Sequence, residues 1–187
     1  MNDTTRTVRL NRFKMLLVAS IFVLPFLAAW IAFHAGWRPG TKSHGQAILP
    51  QRSLSDVQVV MDDGSDWAWR DPTAPRMTLV ALSNGPCASA CIKTLTLLRN
   101  ARITLNDKQD RLRLLYIGQT PAGAAGAVLL KSWRHGRDVV GKLADFRPHE
   151  SGAVSAILVE SNGTALVRYP AGFSPDGLKD DLHKVLH

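Results

Sequence analysis

The two cysteines of this chain, Cys87 and Cys91, constrain its fold more than any other feature. An apolar run with strand character at residues 77–82 precedes them, and a run with helical spacing at residues 92–106 follows. The Gly-Pro pair at positions 85 and 86 predicts a turn between the two runs. The pattern therefore predicts a strand that ends in a turn, with two thiols opening the next helix. Unpaired N–H groups at a helix N-terminus favour thiolate over thiol, which indicates redox or metal chemistry.

A second feature is the apolar run at residues 15–33, MLLVASIFVLPFLAAWIAF, nineteen residues without a formal charge. As a helix it would be roughly 28 Å long, close to the hydrocarbon thickness of a bilayer. Membrane helices tolerate a proline such as Pro25. A cleaved signal peptide is the alternative, but its apolar region is normally about 7–15 residues long and is followed by a small-x-small site. We predict an uncleaved transmembrane anchor at residues 15–35.

The charges on either side of this anchor predict its orientation. Four basic residues precede it and two follow it closely; they are Arg6, Arg9, Arg12 and Lys14, then Arg38 and Lys42. The positive-inside rule then makes residues 1–14 a cytoplasmic tail and places everything after the anchor outside. In a bacterium this is a single-pass protein of the inner membrane with its C-terminal domain in the periplasm. Vicinal thiols can cycle or stay oxidised there.

The formal net charge of +8 raises the question of a nucleic-acid partner. Outside the N-terminus the basic residues are scattered, and no basic stripe is interleaved with aromatic residues. We therefore expect no nucleic-acid binding.

The exported part divides into a linker and one domain. Residues 36–53 contain Gly, Pro, Lys and Gln without periodicity, which predicts a tether. Residues 54–187 form the predicted domain. It opens with a strand at residues 57–61, a turn, and a short return strand at residues 67–69.

The centre of the domain is a predicted βαβ unit. The strand at residues 77–82, a helix from about Ala88 and a strand at residues 111–117 predict two parallel strands with a right-handed crossover. The remaining predicted elements are helices at residues 124–133 and 139–146, a hairpin of residues 154–159 and 165–169, and a last helix from Pro175. This order predicts an α/β fold, a thioredoxin-like domain with an N-terminal β-hairpin extension, preceded by one transmembrane helix.

The Cys-x-x-x-Cys spacing allows three kinds of chemistry. Two thiolates with a third ligand suit copper. The pair can also cycle between dithiol and disulfide, with Cys87 attacking and Cys91 resolving. The third alternative is a static disulfide, but closing so small a loop stabilises little, so chemistry is favoured.

A copper site would need a third ligand, and His149 is the candidate. It lies in the segment RPHESG, just before the hairpin predicted to pack beside the start of the cysteine helix. His135 lies among Arg134 and Arg137, which disfavour a cation there. A metal site would thus comprise Cys87, Cys91 and His149.

Taken together, these features resemble the SCO/SenC/PrrC family of cytochrome c oxidase assembly proteins. The resemblance covers the single anchor, GQAILPQRSL at residues 45–54, the Asp-Gly hairpin turn, Cys-x-x-x-Cys, and AILVESNG at residues 156–163 followed by VRYP and Ser-Pro. It implies a membrane-tethered thioredoxin fold in the bacterial periplasm or mitochondrial intermembrane space, with copper as a cofactor.

Two departures from the family change the expectation. Copper-carrying members have Cys-Pro-x-x-Cys, whereas Ala88 follows Cys87 here. The family's copper histidine aligns at about Gly152, three residues after His149. Loss of the third ligand makes thiol–disulfide exchange by Cys87 and Cys91 the favoured activity, which would make the chain a thiol-disulfide oxidoreductase.

The resemblance then implies a factor that assists assembly of the oxidase copper site. Its protein partner would be a cytochrome c oxidase subunit or a copper chaperone whose cysteines it keeps reduced. Two alternatives remain open: direct copper delivery through Cys87, Cys91 and His149, and a non-catalytic scaffold with a structural disulfide.

Overall fold

A computed structural model describes residues 3–35, 43–71 and 73–186 of the chain. It contains two compact units, Met1–Lys42 and Ser43–His187. The first unit is helix α1, Asp3–His34. Its segment Leu17–His34 has a mean hydropathy of 2.1 and is long and apolar enough to cross a membrane. This confirms the predicted apolar N-terminal helix, which begins at Asp3 and so includes most of the predicted tail.

The second unit is built on one mixed sheet of seven strands in the order β1-β7-β6-β3-β4-β5-β2. The strands are β1 Gln46–Ser53, β2 Val59–Met61, β3 Met77–Ser83, β4 Leu112–Ile117, β5 Arg134–Asp138, β6 Val154–Val159 and β7 Thr164–Tyr169. The helices are α2 Ser89–Ile103, α3 Gly123–Leu130 and α4 Pro175–Val185, with 3-10 turns at Asn106–Arg111 and Ala144–Phe146.

Strand β3 lies at the middle of the sheet and is paired on both edges. It runs parallel to β4 and antiparallel to β6, which confirms the predicted βαβ unit. Because side chains alternate along a strand, Leu79 and Ala81 enter one core while Val80 and Leu82 enter the other. The first core also contains both cysteines and the buried faces of α2 and α4. The cysteine pair is thus part of a packed core.

The structure corrects the prediction of a linker through residue 53. Strand β1, Gln46–Ser53, pairs antiparallel with β7 at the sheet edge. Its side chains are mostly exposed, so it lacks the apolar alternation that reveals a strand. Backbone pairing holds it together with contacts of two side chains, Ile48 on the core and Arg52 with Asp145. Residues 36–42 of the predicted linker lie outside the described residues.

Two other elements differ from their predictions. The hairpin after β2 is short: one bridge joins Val60 to Asp66, residues 67–69 form no strand, and the partner strand of β2 is β5. The helix predicted at residues 139–146 is only the 3-10 turn Ala144–Phe146. The strand before it, β5, was missed because its sequence RHGRD has neither apolar nor β-branched residues.

The carboxylate of Asp181 ties the start of the domain to helix α4. The side chain is 6% exposed. It accepts hydrogen bonds from the Ser43 hydroxyl at 2.9 Å, the His44 and Gly45 N–H groups at 2.8 and 3.1 Å, and the Tyr169 hydroxyl at 3.1 Å. Burial alone would raise the pKa of Asp181, but these hydrogen bonds outweigh it and lower the pKa. The segment that enters β1 is therefore fixed by a charged group.

We predict that Asp181→Asn lowers the free energy of unfolding by about 1–3 kcal/mol at pH 7, the value of hydrogen bonds to a charged group. The folded-state pKa of Asp181 lies below the unfolded value. Its contribution is therefore complete above the ordinary aspartate pKa of about 3.9 and is lost as the pH falls through the folded pKa. Urea unfolding of the full chain in detergent, at pH 7 and near pH 3, measures both effects.

The matched control is Asp180→Asn, because the Asp180 side chain is 62% exposed on the same helix. It should change stability little at either pH. Equal losses for the two variants, or a loss for Asp181→Asn that does not shrink at low pH, would contradict this account.

Candidate functional site

Cys87 and Cys91 form a disulfide in the structure, with their Cα atoms 5.1 Å apart. Cys87 lies in the turn after β3, and Cys91 lies in the first turn of α2, which begins at Ser89. The spacing predicted this placement, since i and i+4 positions within a regular helix are slightly too far apart for easy bridging. The two sulfurs are therefore bonded to each other at the edge of the packed core.

The turn that carries Cys87 is held by the loop before β6. Gly85 has a φ of +75°, a conformation that glycine adopts without strain. A Cβ atom at this position would lie 2.5 Å from the Ser151 hydroxyl oxygen. The Gly152 N–H donates to the Asn84 carbonyl at 2.7 Å. The cysteine turn is thus packed closely against residues 151 and 152.

The two cysteines differ in their access to solvent. Cys87 is 3% exposed and Cys91 is 0% exposed. Both residues are buried, but only Cys87 of the two keeps some exposed surface, which favours Cys87 as the cysteine that a partner thiolate attacks. Helix α2 has no acidic residue in its first turn and no side chain capping its N-terminus. The positive end of its dipole is thus left to favour a negative charge on the sulfur of Cys87.

Tyr116 of β4 forms the inner wall of the site. Its hydroxyl oxygen lies 3.8 Å from the Cys91 sulfur and 2.8 Å from the Ser83 hydroxyl, and it donates to the Gln119 carbonyl at 2.8 Å. Burial raises the pKa of Tyr116, although the Ser83 hydrogen bond and the charge of Arg147 oppose the shift. The phenol therefore keeps its proton. The sequence analysis missed Tyr116 because it lies within an apolar strand run.

His135 packs against the face of the Tyr116 ring. The two rings stack with their centroids 5.3 Å apart. The His135 Nδ1 atom lies 2.7 Å from an Asp62 oxygen, and Nε2 lies 3.0 Å from the Gly118 carbonyl. The neighbouring Arg134 and Arg137 are exposed, whereas His135 is buried. With both nitrogens engaged, this imidazole is not free to bind metal.

The structure does not bring His149 to the cysteines. His149 is exposed, whereas Pro148 before it is buried. Within the described ranges, no group of three His, Cys, Asp or Glu side chains is placed to hold a metal ion. The predicted ligand set of Cys87, Cys91 and His149 therefore does not fit copper here. The loop uses Ser151 and Gly152, not a histidine, against the cysteine turn.

The fold and this site define a thioredoxin-like domain with a disulfide at a helix N-terminus. Residues 77–187 match a family model described as transmembrane-like, thioredoxin-like, C-terminal domain. The match covers more than half of the chain, and the chain belongs to this family. The matched residues include β3, the cysteine pair and all later elements of the chain. The family and the apolar helix α1 both indicate a membrane anchor.

Solved structures with the same fold are distant in sequence. A bacterioferritin comigratory protein of Xanthomonas campestris, studied for alkyl peroxide reduction, is 14% identical; the match covers 77% of this chain and 97% of that one, with a TM-score of 0.50. BsSco, of the Sco family of cytochrome c oxidase assembly proteins, is 13% identical, with 74% and 96% covered and a TM-score of 0.49.

Copper-bound ScoI of Bradyrhizobium japonicum is also 13% identical, with 76% and 99% covered and a TM-score of 0.47. No curated protein sequence matches the chain. The family match, together with the Xanthomonas campestris structure, confirms the predicted mixed α/β thioredoxin-like fold.

Proposed function

We propose that this chain is a membrane-anchored thiol–disulfide exchange protein that acts through Cys87 and Cys91. The observation that carries the proposal is the disulfide at the start of α2, with one cysteine slightly exposed and the other fully buried. This asymmetry supports attack by Cys87 and resolution by Cys91, because exchange with a partner requires access to the sulfur.

The exchange balances as a two-electron reaction. In the reduced protein the Cys87 thiolate attacks a partner disulfide, forming a mixed disulfide and releasing a partner thiolate. Cys91, as a thiolate, then attacks the Cys87 sulfur, which re-forms the Cys87–Cys91 bond and releases the second partner thiolate. The partner is reduced to a dithiol, and this protein is oxidised. In the opposite direction a partner thiolate attacks Cys87, and the electron pair of the broken bond moves to the Cys91 sulfur. The partner's second thiolate then attacks the partner sulfur of the mixed disulfide, which releases Cys87 as a thiolate and leaves the partner oxidised.

The proposed location is the bacterial inner membrane, with the domain in the periplasm. The excess of basic residues before the anchor supports this orientation, because cytoplasmic flanks carry more Lys and Arg. The periplasm also allows cysteine pairs to be oxidised and reduced again.

The proposed role is assistance in assembling the copper site of cytochrome c oxidase. The substrate would be the cysteine pair of an oxidase subunit or of a copper chaperone, which must be reduced before it can bind copper. Support comes from the sequence resemblance to the SCO/SenC/PrrC family at residues 45–54, at the Cys-x-x-x-Cys motif and at residues 156–163. Direct copper carriage is less favoured because His149 is exposed and forms no metal-binding group with the cysteines in the part of the chain that the structure describes.

We predict that Cys91→Ser, purified as the full chain in detergent, forms a mixed disulfide with oxidised glutathione through Cys87. Cys87→Ser should react at least about tenfold more slowly, because its remaining thiol is enclosed and exchange requires access. Intact-protein mass spectrometry over time measures both rates. Similar rates for the two variants would contradict the assigned roles, and a wild-type disulfide that resists reduction in the folded protein would favour the scaffold.

In a bacterial strain that lacks this chain, we expect low oxidase activity that added copper does not restore. The full chain and His149→Ala should restore it, whereas Cys87→Ser should not, because exchange needs the sulfur and not the imidazole. Oxidase activity of isolated membranes is the measurement. Rescue by copper, or failure of His149→Ala together with its loss of Cu(I) binding in vitro, would replace this role with copper delivery.

A further inference from the structure

The sulfur that leaves when the disulfide opens is Cys91, and it is the more deeply enclosed of the two. Cys91 and Tyr116 are both 0% exposed, and the Tyr116 hydroxyl oxygen lies 3.8 Å from the Cys91 sulfur. Negative charge that forms on this sulfur cannot be solvated by bulk water. It needs a hydrogen-bond donor supplied by the protein.

The hydroxyl groups of Tyr116 and Ser83 form a short donor chain that can supply it. With the disulfide closed, Tyr116 donates its one hydrogen to the Gln119 carbonyl, so Ser83 is the donor in its 2.8 Å contact with the phenolic oxygen. A turn of the Tyr116 hydroxyl from Gln119 towards Cys91 would redirect that hydrogen to the sulfur. Ser83 would continue to donate to the phenolic oxygen and strengthen the new hydrogen bond.

The ring that carries this hydroxyl is held in place. It stacks on His135, which is itself fixed between Asp62 and the Gly118 carbonyl. On the sheet, Tyr116 pairs directly with Ala81, one of the small residues of β3. Because the ring is fixed, rotation of the hydroxyl hydrogen about the phenolic C–O bond is the movement that turns the donor towards the Cys91 sulfur.

We propose that Tyr116, assisted by Ser83, donates a hydrogen bond to the Cys91 sulfur as the Cys87–Cys91 bond breaks, and so accelerates opening of the disulfide. This inference rests on the proposed exchange function. A partner thiolate bonds to Cys87, the electron pair of the old bond moves to Cys91, and the hydrogen stays on Tyr116 while it stabilises that charge.

The test is the rate at which dithiothreitol reduces the oxidised full chain in detergent. We expect Tyr116→Phe to slow reduction about tenfold, the effect of losing one hydrogen bond to a charged group. Ser83→Ala should slow it less. The matched control is Tyr169→Phe, because Tyr169 is also buried but its hydroxyl bonds to Asp181 and not to sulfur. It should reduce at the wild-type rate.

A second measurement separates donation from a general loss of structure. In the Cys91→Ser background no sulfur leaves Cys87, so adding Tyr116→Phe should not change the reaction of Cys87 with oxidised glutathione. Wild-type rates for Tyr116→Phe, or equal slowing by Tyr169→Phe, would overturn the inference. Failure of the wild-type chain to be reduced at all would instead overturn the proposed function.

An independent feature lies beside the cysteine turn, a cavity of about 450 Å³. Asn84 and Gly85 line it on one side, and Arg137 and Arg147 line it on the other. Neither arginine forms an ion pair within the part of the chain that the structure describes. The one carboxylate in the lining, Asp138, already accepts hydrogen bonds from two backbone N–H groups of the next turn. The two arginines outnumber this carboxylate, so the lining of the cavity carries a net positive charge beside the turn that leads to Cys87.

From this we infer a docking site for an acidic segment that flanks the partner's cysteines, again on the basis of the proposed function. Asp or Glu side chains there would pair with Arg137 and Arg147 while the partner's sulfur meets Cys87. Opposite charges across such a contact mainly raise the association rate and lose effect as salt increases.

Two model peptides test it, each with one internal disulfide, flanked in one case by aspartates and in the other by lysines. The reduced full chain in detergent should reduce the acidic peptide about tenfold faster at low salt. Arg137→Ala combined with Arg147→Ala should abolish the preference. Arg134→Ala, an exposed arginine of the same strand outside this cavity, should keep it. Equal rates for the two peptides, or a preference that survives in the double variant, would overturn the inference, whereas no reaction with either peptide would overturn the proposed function.

Discussion

The pairing of β3 on both of its edges is the constraint on which the site depends. A strand bonded to β4 on one side and β6 on the other cannot slip, because a shift of one residue would move every core side chain to the wrong face. The register therefore fixes the position of the turn after β3, which places Cys87 just before the start of α2. The same register places Tyr116 of β4 opposite Ala81, so the wall of the pocket is set by the sheet.

The disulfide is enclosed because it lies where the end of β3 meets the start of α2. The sulfurs belong to the core between the sheet and helices α2 and α4, and the loop before β6 closes over the turn. Such a site restricts both the direction of attack and the groups that can stabilise the leaving sulfur. The loop also explains why copper binding is not favoured. Gly152, with a φ of +76°, donates its N–H to Asn84 at the position where the resemblance expects a metal-binding histidine.

What the sequence could not reveal has an identifiable physical cause in each case. His135 and Asp62 are 73 positions apart and meet only because β5 joins the sheet between β4 and β2. The sequence of β5 is dominated by charged residues, so it has no hydrophobic alternation that would predict the strand or the burial of its histidine. Strand β1 was missed for a related reason, since an edge strand with exposed side chains is held by its backbone.

The sequence by itself determined the apolar N-terminal helix, the unit of β3, α2 and β4, the closing hairpin of β6 and β7 with helix α4 after it, and the position of the two cysteines at the start of α2. These follow from local patterns: length of an apolar run, strand and helix periodicity, and a Gly-Pro turn. Tertiary structure alone decided the rest. It decided that Cys91 is fully buried while Cys87 keeps a small exposed fraction, that the Tyr116 hydroxyl lies near the Cys91 sulfur and contacts Ser83, and that His149 is exposed. Contacts of this kind depend on sheet register and loop packing between distant segments, which no local pattern encodes.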